Sequence, residues 1–452
     1  MAPGTDPAAL RALEELLPGR CSTRPADLEA ASRDASSLPG ARPDVVVWPL
    51  STDEVAAVVR LAYEHAVPLT ARGAGSSLEG NPIPVRGGIV LDCARMAEVV
   101  SVRPADLQVD VQPGVVYAAL NRRLRPDGLF FPPSPGGSAE LATIGGMVAN
   151  NASGIYSVRY GGTRDHVRAA TVVSGTGRVL RLGNRCRKSA SGYHLLGLLV
   201  GSEGTLAIAT ELTLALAGLP AARRHGGFGF PDARAAARAT ADLICFGIDV
   251  AAVEFLDERT VRALNRLGGF GLAETPCLLV EVHGSEAGVG DAWPAAEEVL
   301  ADAGGSPLVV PGGNPWAIRE QVTRAIEALS PGAATVRADL AIPIGALPEL
   351  VGRAAATAAA RGLEAHVFGH VGIGIIHVLV RVTEAERAAA EGVRDALVEA
   401  ALGLGGSCSG EHGMGIGNRR YAAREHGEAL ELMRAIKDVF DPGGILNPGK
   451  MW

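Results

Sequence analysis

A chain of 452 residues, 47% hydrophobic with a mean hydropathy of +0.19, is too long for a single core, so two domains with room for a third are expected. A net charge of −7 without a block of like charge argues against a nucleic-acid surface, and the lack of any apolar run of about 18 residues argues against a membrane span. The six cysteines, 21, 93, 186, 245, 277 and 408, form no Cys-x-x-Cys pair and read as reduced thiols.

Met1 to Leu17 reads as an acid-containing helix with no hydrophobic signal core, which makes a cytoplasmic protein the expectation. Val45 to Trp48 reads as a strand stopped by Pro49. Ser51 followed by Glu54 forms a capping box, and the helix behind it places Val55, Val58, Val59 and Ala62 on one face. Val67 to Ala71 and Gly88 to Asp92 read as strands, and between them lies Arg72-Gly-Ala-Gly-Ser-Ser-Leu-Glu-Gly80. Three glycines and two serines in these nine residues leave a loop with little side-chain bulk, able to close backbone N–H groups on phosphate or to serve as an ordinary turn. It joins strand to strand, so it is neither a Rossmann fingerprint nor a Walker A loop. Leu107 to Val111 alternates like a strand with one buried face, ended by Gly114.

From Phe131 to Thr210 the chain is dense in small residues: Pro135-Gly136-Gly, Thr143-Ile-Gly145-Gly146, Asn150-Asn-Ala-Ser153-Gly154, Tyr160-Gly-Gly and Gly201-Ser-Glu203-Gly204-Thr205. Bare backbone beside hydroxyl and amide groups suits a long, flat ligand with many polar atoms. Beyond about Leu216, Ala-rich helices (Ala233 to Leu243, Val261 to Leu267) alternate with strands (Cys277 to His283, Leu363 to His370). This predicts a second, α+β domain that caps the first.

The stretch Gly369-His370-Val-Gly372-Ile373-Gly374-Ile375-Ile-His377 holds two histidines. On a strand their odd spacing separates them, unless Gly372 and Gly374 turn the chain so that both rings converge. Ser409-Gly-Glu411-His412-Gly413 adds a carboxylate and an imidazole. Two His and one Glu form the ligand set of an open Zn²⁺ site.

The ordered motifs between Arg72 and Thr205 closely resemble the FAD-binding domain of the vanillyl-alcohol oxidase and p-cresol methylhydroxylase superfamily. The resemblance implies that Arg72, Gly73, Ala74, Gly75, Ser76, Ser77, Gly80 and Asn81 wrap the FAD pyrophosphate. It implies that Pro135, Gly136, Thr143, Gly145, Gly146 and Asn150 line the rest of the cofactor, with Ser153, Gly154, Tyr160, Glu203, Gly204, Ile208 and the tail's Asn447. Ser76 and Ser77 stand where members with covalent flavin carry histidine, so a dissociable FAD is expected.

The C-terminal half resembles the FAD-linked oxidase domain of D-2-hydroxyacid dehydrogenases, the D-lactate, D-2-hydroxyglutarate and glycolate enzymes. The resemblance implies that His370, His377 and Glu411 hold a divalent metal, zinc first among candidates, and that His412 is the base. It implies that Arg319 and Thr323 grip the substrate carboxylate and that Arg337 stands where lysine is common. Ile373 and Ile375 replace an Asp and an Asn of the family pattern, which removes an acidic group expected to orient the imidazoles. Asn418 replaces a lysine, and Leu379 an asparagine, the latter favouring a shorter or less polar substrate.

The expectation is therefore an α+β fold: an FAD-binding domain at 1–216, a cap at 217–405, and a segment at 406–452 that completes the active site and packs on the FAD domain. The expected reaction is oxidation of a D-lactate-like 2-hydroxy acid by hydride transfer to flavin. A metal-free flavoprotein acting on another hydroxy compound is the alternative, ahead of a zinc hydrolase and of a non-catalytic FAD subunit. The electron acceptor stays open, as does pairing into a homodimer.

Overall fold

The computed structural model describes residues 5–452, which fold as two compact units. The first comprises the chain up to Ala152, Gly162–Leu219 and His412–Trp452; the second comprises Ser153–Gly161 and Pro220–Glu411. The expected boundary at 216/217 thus falls at Leu219/Pro220, the segment expected from 406 divides at Glu411, and Ser153–Gly161 groups with the second unit. Among the described residues no helix is long and apolar enough to cross a membrane.

In the first unit, helix Pro7–Leu16 lies within the helix expected near the N-terminus; Met1 itself is outside the described residues. Strands Val45–Val47, Ile89–Asp92 and Leu69–Arg72 run parallel, with Cys21–Ser22 antiparallel at the edge. Helix Thr52–Glu64 makes the first crossover and buries Val55, Val58, Val59 and Ala62. Ser51 caps it by accepting from the Glu54 N–H at 3.3 Å, but the Glu54 carboxylate does not return to Ser51. It binds the Leu50 N–H (2.7 Å) and Arg20 (2.5 Å), so only half of the expected capping box forms.

Leu69–Arg72 and Ile89–Asp92 are direct parallel neighbours, with Leu69 opposite Ile89 and Arg72 opposite Asp92. Residues 73–88 must therefore carry the chain from the end of one strand back to the start of the next without a crossover helix. That places the small-residue loop at the carboxyl end of a parallel sheet, where open α/β sheets bind ligands. A second sheet, Val99–Arg103, Gln108–Val111, Ala207–Ala215, Val167–Ser174 and Val179–Gly183 in that order, is antiparallel. The tail closes this unit by adding to the first sheet. The Leu69 N–H donates to the Ile445 carbonyl (2.8 Å) and the Asn447 N–H to the Leu69 carbonyl (2.7 Å).

The second unit is a seven-stranded antiparallel sheet, ordered Ser306–Leu308, Ala222–Gly229, Cys277–Gly284, Val250–Leu256, Ala365–Gly369, Ile375–Val382, Ala334–Ala341. The expected helices form as Ala233–Cys245 and Glu258–Gly268, N-capped by Asp232 and Asp257. The centre of the sheet matters most for the site. There Val250–Leu256 meets Ala365–Gly369, and Ala334–Ala341 pairs with Ile375–Val382 along its full length.

Candidate active site

In the first unit, the glycines of the expected cofactor motifs divide into two kinds. A methyl group added to Gly73 would collide with the Thr143 hydroxyl, one on Gly75 with the Arg72 guanidinium, and one on Gly145 with Pro113. These glycines let chain segments close on one another. At Gly136 and Gly137 the added methyl meets nothing within 4 Å, and at Gly146 only the Thr143 oxygen at 3.2 Å. Bare backbone facing open space is what a flat, polar cofactor can approach, so this segment fits FAD. Arg72 braces the loop, donating to the carbonyls of Arg33 (2.9 Å) and Ala30 (3.2 Å). Thr143 caps helix Ile144–Asn150 through the Gly146 N–H. Ala74 is exposed and Ser76 half-buried on the loop, while the Ser77 hydroxyl donates to Asn81 Oδ1. Ile208 is a core residue, packed in the same apolar cluster as Val173, its partner on the neighbouring strand.

Several residues expected on the cofactor also knit the tail to the rest of the first unit. Glu203, buried and left-handed at φ 54, accepts from Asn81 Nδ2 (2.6 Å) and from the N–H groups of Met414 (2.6 Å) and Gly415 (2.9 Å). Burial pushes its carboxyl above the usual range, with those donors opposing the shift. Asn447 Nδ2 donates to the carbonyls of Asn81 (3.0 Å) and Glu203 (2.7 Å), and its Oδ1 accepts from Lys450, whose ammonium burial pushes down to about 8. Asn150 donates to the His412 carbonyl (3.1 Å) and Asn418 to that of Gly413 (2.9 Å). The loop carrying His412 is thus fixed at both ends by amides and one carboxylate. Gly204 follows Glu203 in the turn, where only Ala71 lies within 4 Å of an added methyl.

The second unit brings the expected metal ligands together. Gly369 (φ 152) and Gly374 (φ 77) adopt backbone that side chains resist, and a methyl on Gly374 would strike the Ile342 carbonyl. The tight turn between them swings the chain so that the rings of His370 and His377 stand 5.3 Å apart and nearly perpendicular. Glu411 Oε1 lies 3.3 Å from His370 Nε2 and 3.5 Å from His377 Nε2. One ligand atom from each of the three falls within 4.8 Å of the others.

The outer shell whose loss the two isoleucines suggested is supplied from neighbouring strands. Glu254 on Val250–Leu256 accepts from His370 Nδ1 at 2.6 Å, and Asp339 on Ala334–Ala341 lies 3.2 Å from His377 Nδ1. The second Asp339 oxygen accepts from the Glu411 N–H (2.8 Å), and Ser153 donates to Glu411 Oε2 (2.8 Å). Each imidazole thus has a carboxylate behind it and its Nε2 in front, the arrangement of histidines that bind metal, and the donor set suits a divalent ion. Burial alone would lower the His370 pKa. The charges of Glu254 and Glu411 override it and push the ring up to about 10, while the same pairing holds Glu411 down at about 2.

Arg319 ends helix Pro315–Arg319, and its Nε donates to the other Glu254 oxygen at 2.6 Å. Thr323 is exposed on a separate helix, Val322–Ala328, so its spacing from Arg319 does not put the two on one helix face. Arg337 shares the sheet face of Asp339, two residues along, and pairs with Glu327 (3.3 Å). Leu379 is buried in the apolar cluster with Phe368 and Ile318. The Gly154 N–H donates to Ser157 (3.1 Å), and the Tyr160 hydroxyl meets His283 Nδ1 at 2.9 Å. Glu281 accepts from His283 and from Trp316 Nε1. Sequence reasoning missed Glu254, Glu281 and His283. Their signal was present, since a glutamate amid Val-Ala-Ala-Val and Phe-Leu is a charge on a strand otherwise fit only for a core.

Residues 219–451 match the family of FAD linked oxidases, C-terminal domain, and residues 43–183 match an FAD binding domain. The chain belongs to the FAD-linked oxidase family. It is 37% identical over 418 residues to a mitochondrial D-lactate dehydrogenase [cytochrome] of Arabidopsis thaliana, covering 90% of this chain and 73% of the relative. To glycolate oxidase subunit GlcD of Bacillus subtilis it is 33% identical, covering 93% and 91%. Among solved structures, p-cresol methylhydroxylase superposes with a TM-score of 0.80 at 17% identity, over 98% of this chain and 96% of that one, a likeness of fold. This FAD-linked oxidase is an FAD-dependent oxidoreductase of the α+β architecture that the motifs predicted.

Proposed function

We propose that this oxidoreductase converts a D-2-hydroxy acid of the D-lactate type to its 2-oxo acid. The observation that carries the reading is the convergence of His370, His377 and Glu411, with Arg319 tied to His370 through Glu254. The relatives named for D-lactate and glycolate support a hydroxy acid as substrate. FAD, when bound, supplies the acceptor for the two electrons and the Cα hydrogen. His370, His377 and Glu411 would hold a divalent metal, Zn²⁺ by donor type, which supplies Lewis-acid polarisation of a hydroxyl.

The remaining work belongs to the chain. Arg319 gives only Nε to Glu254, which leaves the two-pronged Nη end of its fork for a substrate carboxylate. Thr323 and Arg337 would add contacts to the same carboxylate. His412 takes the hydroxyl proton at a ring nitrogen, a role typically worth about 10²- to 10⁴-fold in rate. The apolar surroundings of Leu379 and Phe368 suit a short acid without a second charge.

The test is anaerobic bleaching of the flavin in the purified protein by paired D- and L-2-hydroxy acids, before and after metal removal by a chelator. D-Lactate should bleach the flavin, its L-isomer should not, and chelation should slow the reaction until Zn²⁺ is restored. Failure of every hydroxy acid to bleach the flavin would overturn the reaction, and an unchanged rate after chelation would overturn the metal. The His412→Ala protein should stay yellow and resist bleaching.

A further inference from the structure

Glu254 touches both halves of this proposed grip, and the role assigned to it rests on that reading. The residue is fully buried on strand Val250–Leu256, and its two oxygens face different partners. One lies 2.6 Å from His370 Nδ1, the other 2.6 Å from Arg319 Nε. A buried ionic triad roughly breaks even against well-packed apolar residues, so stability alone does not explain a charge here.

Geometry supplies the reason. A carboxylate only accepts, so His370 Nδ1 must carry a proton and Nε2 is left as the nitrogen that faces Glu411, 3.3 Å away. On the other side, holding Nε fixes the plane of the Arg319 guanidinium, which also lies over the Phe368 ring at 5.1 Å. Phe368 in turn stands 5.3 Å from the His377 ring. Ordering the carboxylate from one end orders it for the other.

We propose that Glu254 is a positioning residue that serves metal capture at His370 and carboxylate capture at Arg319 at once, coupling the two. Replacing it should damage both functions, although it touches neither ligand.

Two binding constants on the full-length, FAD-loaded protein test this. One is Zn²⁺ affinity, by competition with a chromogenic chelator in the absence of organic acid. The other is pyruvate affinity in metal-free protein, read from the flavin spectrum. Glu254→Gln should weaken Zn²⁺ by about 10- to 100-fold, the usual effect of losing a carboxylate behind a liganding histidine, and pyruvate by at least about fivefold. Glu254→Asp retains the charge but is one methylene too short to hold both partners, so at least one constant should fall about tenfold in a protein that still folds. Either constant staying within twofold of the parent in folded Glu254→Gln, or both doing so in Glu254→Asp, overturns the proposal. A parent protein that takes up no Zn²⁺ is a different result: it sinks the metal reading itself.

Discussion

His377 and Asp339 face each other across neighbouring strands, paired by the antiparallel register, with imidazole Nδ1 3.2 Å from carboxylate Oδ1. The other Asp339 oxygen holds the backbone N–H of Glu411 at 2.8 Å, so one side chain backs two members of the ligand set. Sheet register, which the whole strand enforces, therefore fixes where the Nε2 of His377 points.

Asp339→Asn should lower metal affinity by about 10- to 100-fold while leaving FAD content unchanged, because it disturbs ligand orientation and not the glycine loop. Metal analysis after dialysis against a graded chelator series measures this. Full metal retention in the variant would show that His377 needs no carboxylate behind it.

Gly73→Ala should weaken FAD retention, because the new methyl would collide with the Thr143 hydroxyl. Removing that oxygen in Gly73→Ala/Thr143→Ala should recover part of the loss, since the next Thr143 atom, Cβ, lies 3.5 Å from the added methyl. The coupling is read from FAD dissociation constants of the parent, both single variants and the double variant. Strictly additive losses would mean the two segments do not meet as described.

Much of the fold and site is legible in the sequence, and the reasons for what is not are physical. The loop from Arg72 to Gly80 alone reads equally as an ordinary turn, and it is the further small-residue motifs, in order through Thr205, that single out a large cofactor. The turn at Gly374 is readable because only a chain reversal lets histidines with odd spacing converge. Glu254 is visible as a charge on an apolar strand, but its partner is not, nor is that of Asp339, because both lie on strands far from His370 and His377 in sequence, and which strands become neighbours depends on topology. The isoleucines mislead for the same reason. Ile375 packs against Gly410, where an added methyl would meet it at 2.9 Å, and the acid expected at that turn is delivered from across the sheet. Glu203 and Asn447, which the resemblance places at the cofactor, also clamp the tail, a partnership between distant segments that no local pattern reveals.

Glu203→Gln should loosen that clamp. Its amide nitrogen would face the N–H groups of Met414 or Gly415, leaving buried donors unmatched at a cost of about 1–3 kcal/mol. Hydrogen exchange should quicken across residues 412–418 more than in the helix Thr52–Glu64. Equal protection of the two segments would show that the tail is held by other contacts.

His366, on strand Ala365–Gly369, should govern part of the acid sensitivity. It is 5% exposed, and its Nδ1 has no hydrogen-bond partner among the described residues. Burial is the largest influence, opposed by the Glu364 charge and by a hydrogen bond to the Arg259 backbone and aided by the Arg259 charge, and it pushes the ring down to about 4. The unfolded chain binds that proton near the ordinary value of about 6.5, so the neutral ring favours the folded state fully above pH 6.5, and this contribution is lost as pH falls toward 4. The loss should reach about 2 kcal/mol by pH 5. Thermal unfolding at pH 7.5 and pH 5 should therefore show a smaller drop in Tm for His366→Gln than for the parent, whatever the absolute stability of the variant. Parallel drops in the two proteins would assign the acid sensitivity to another group.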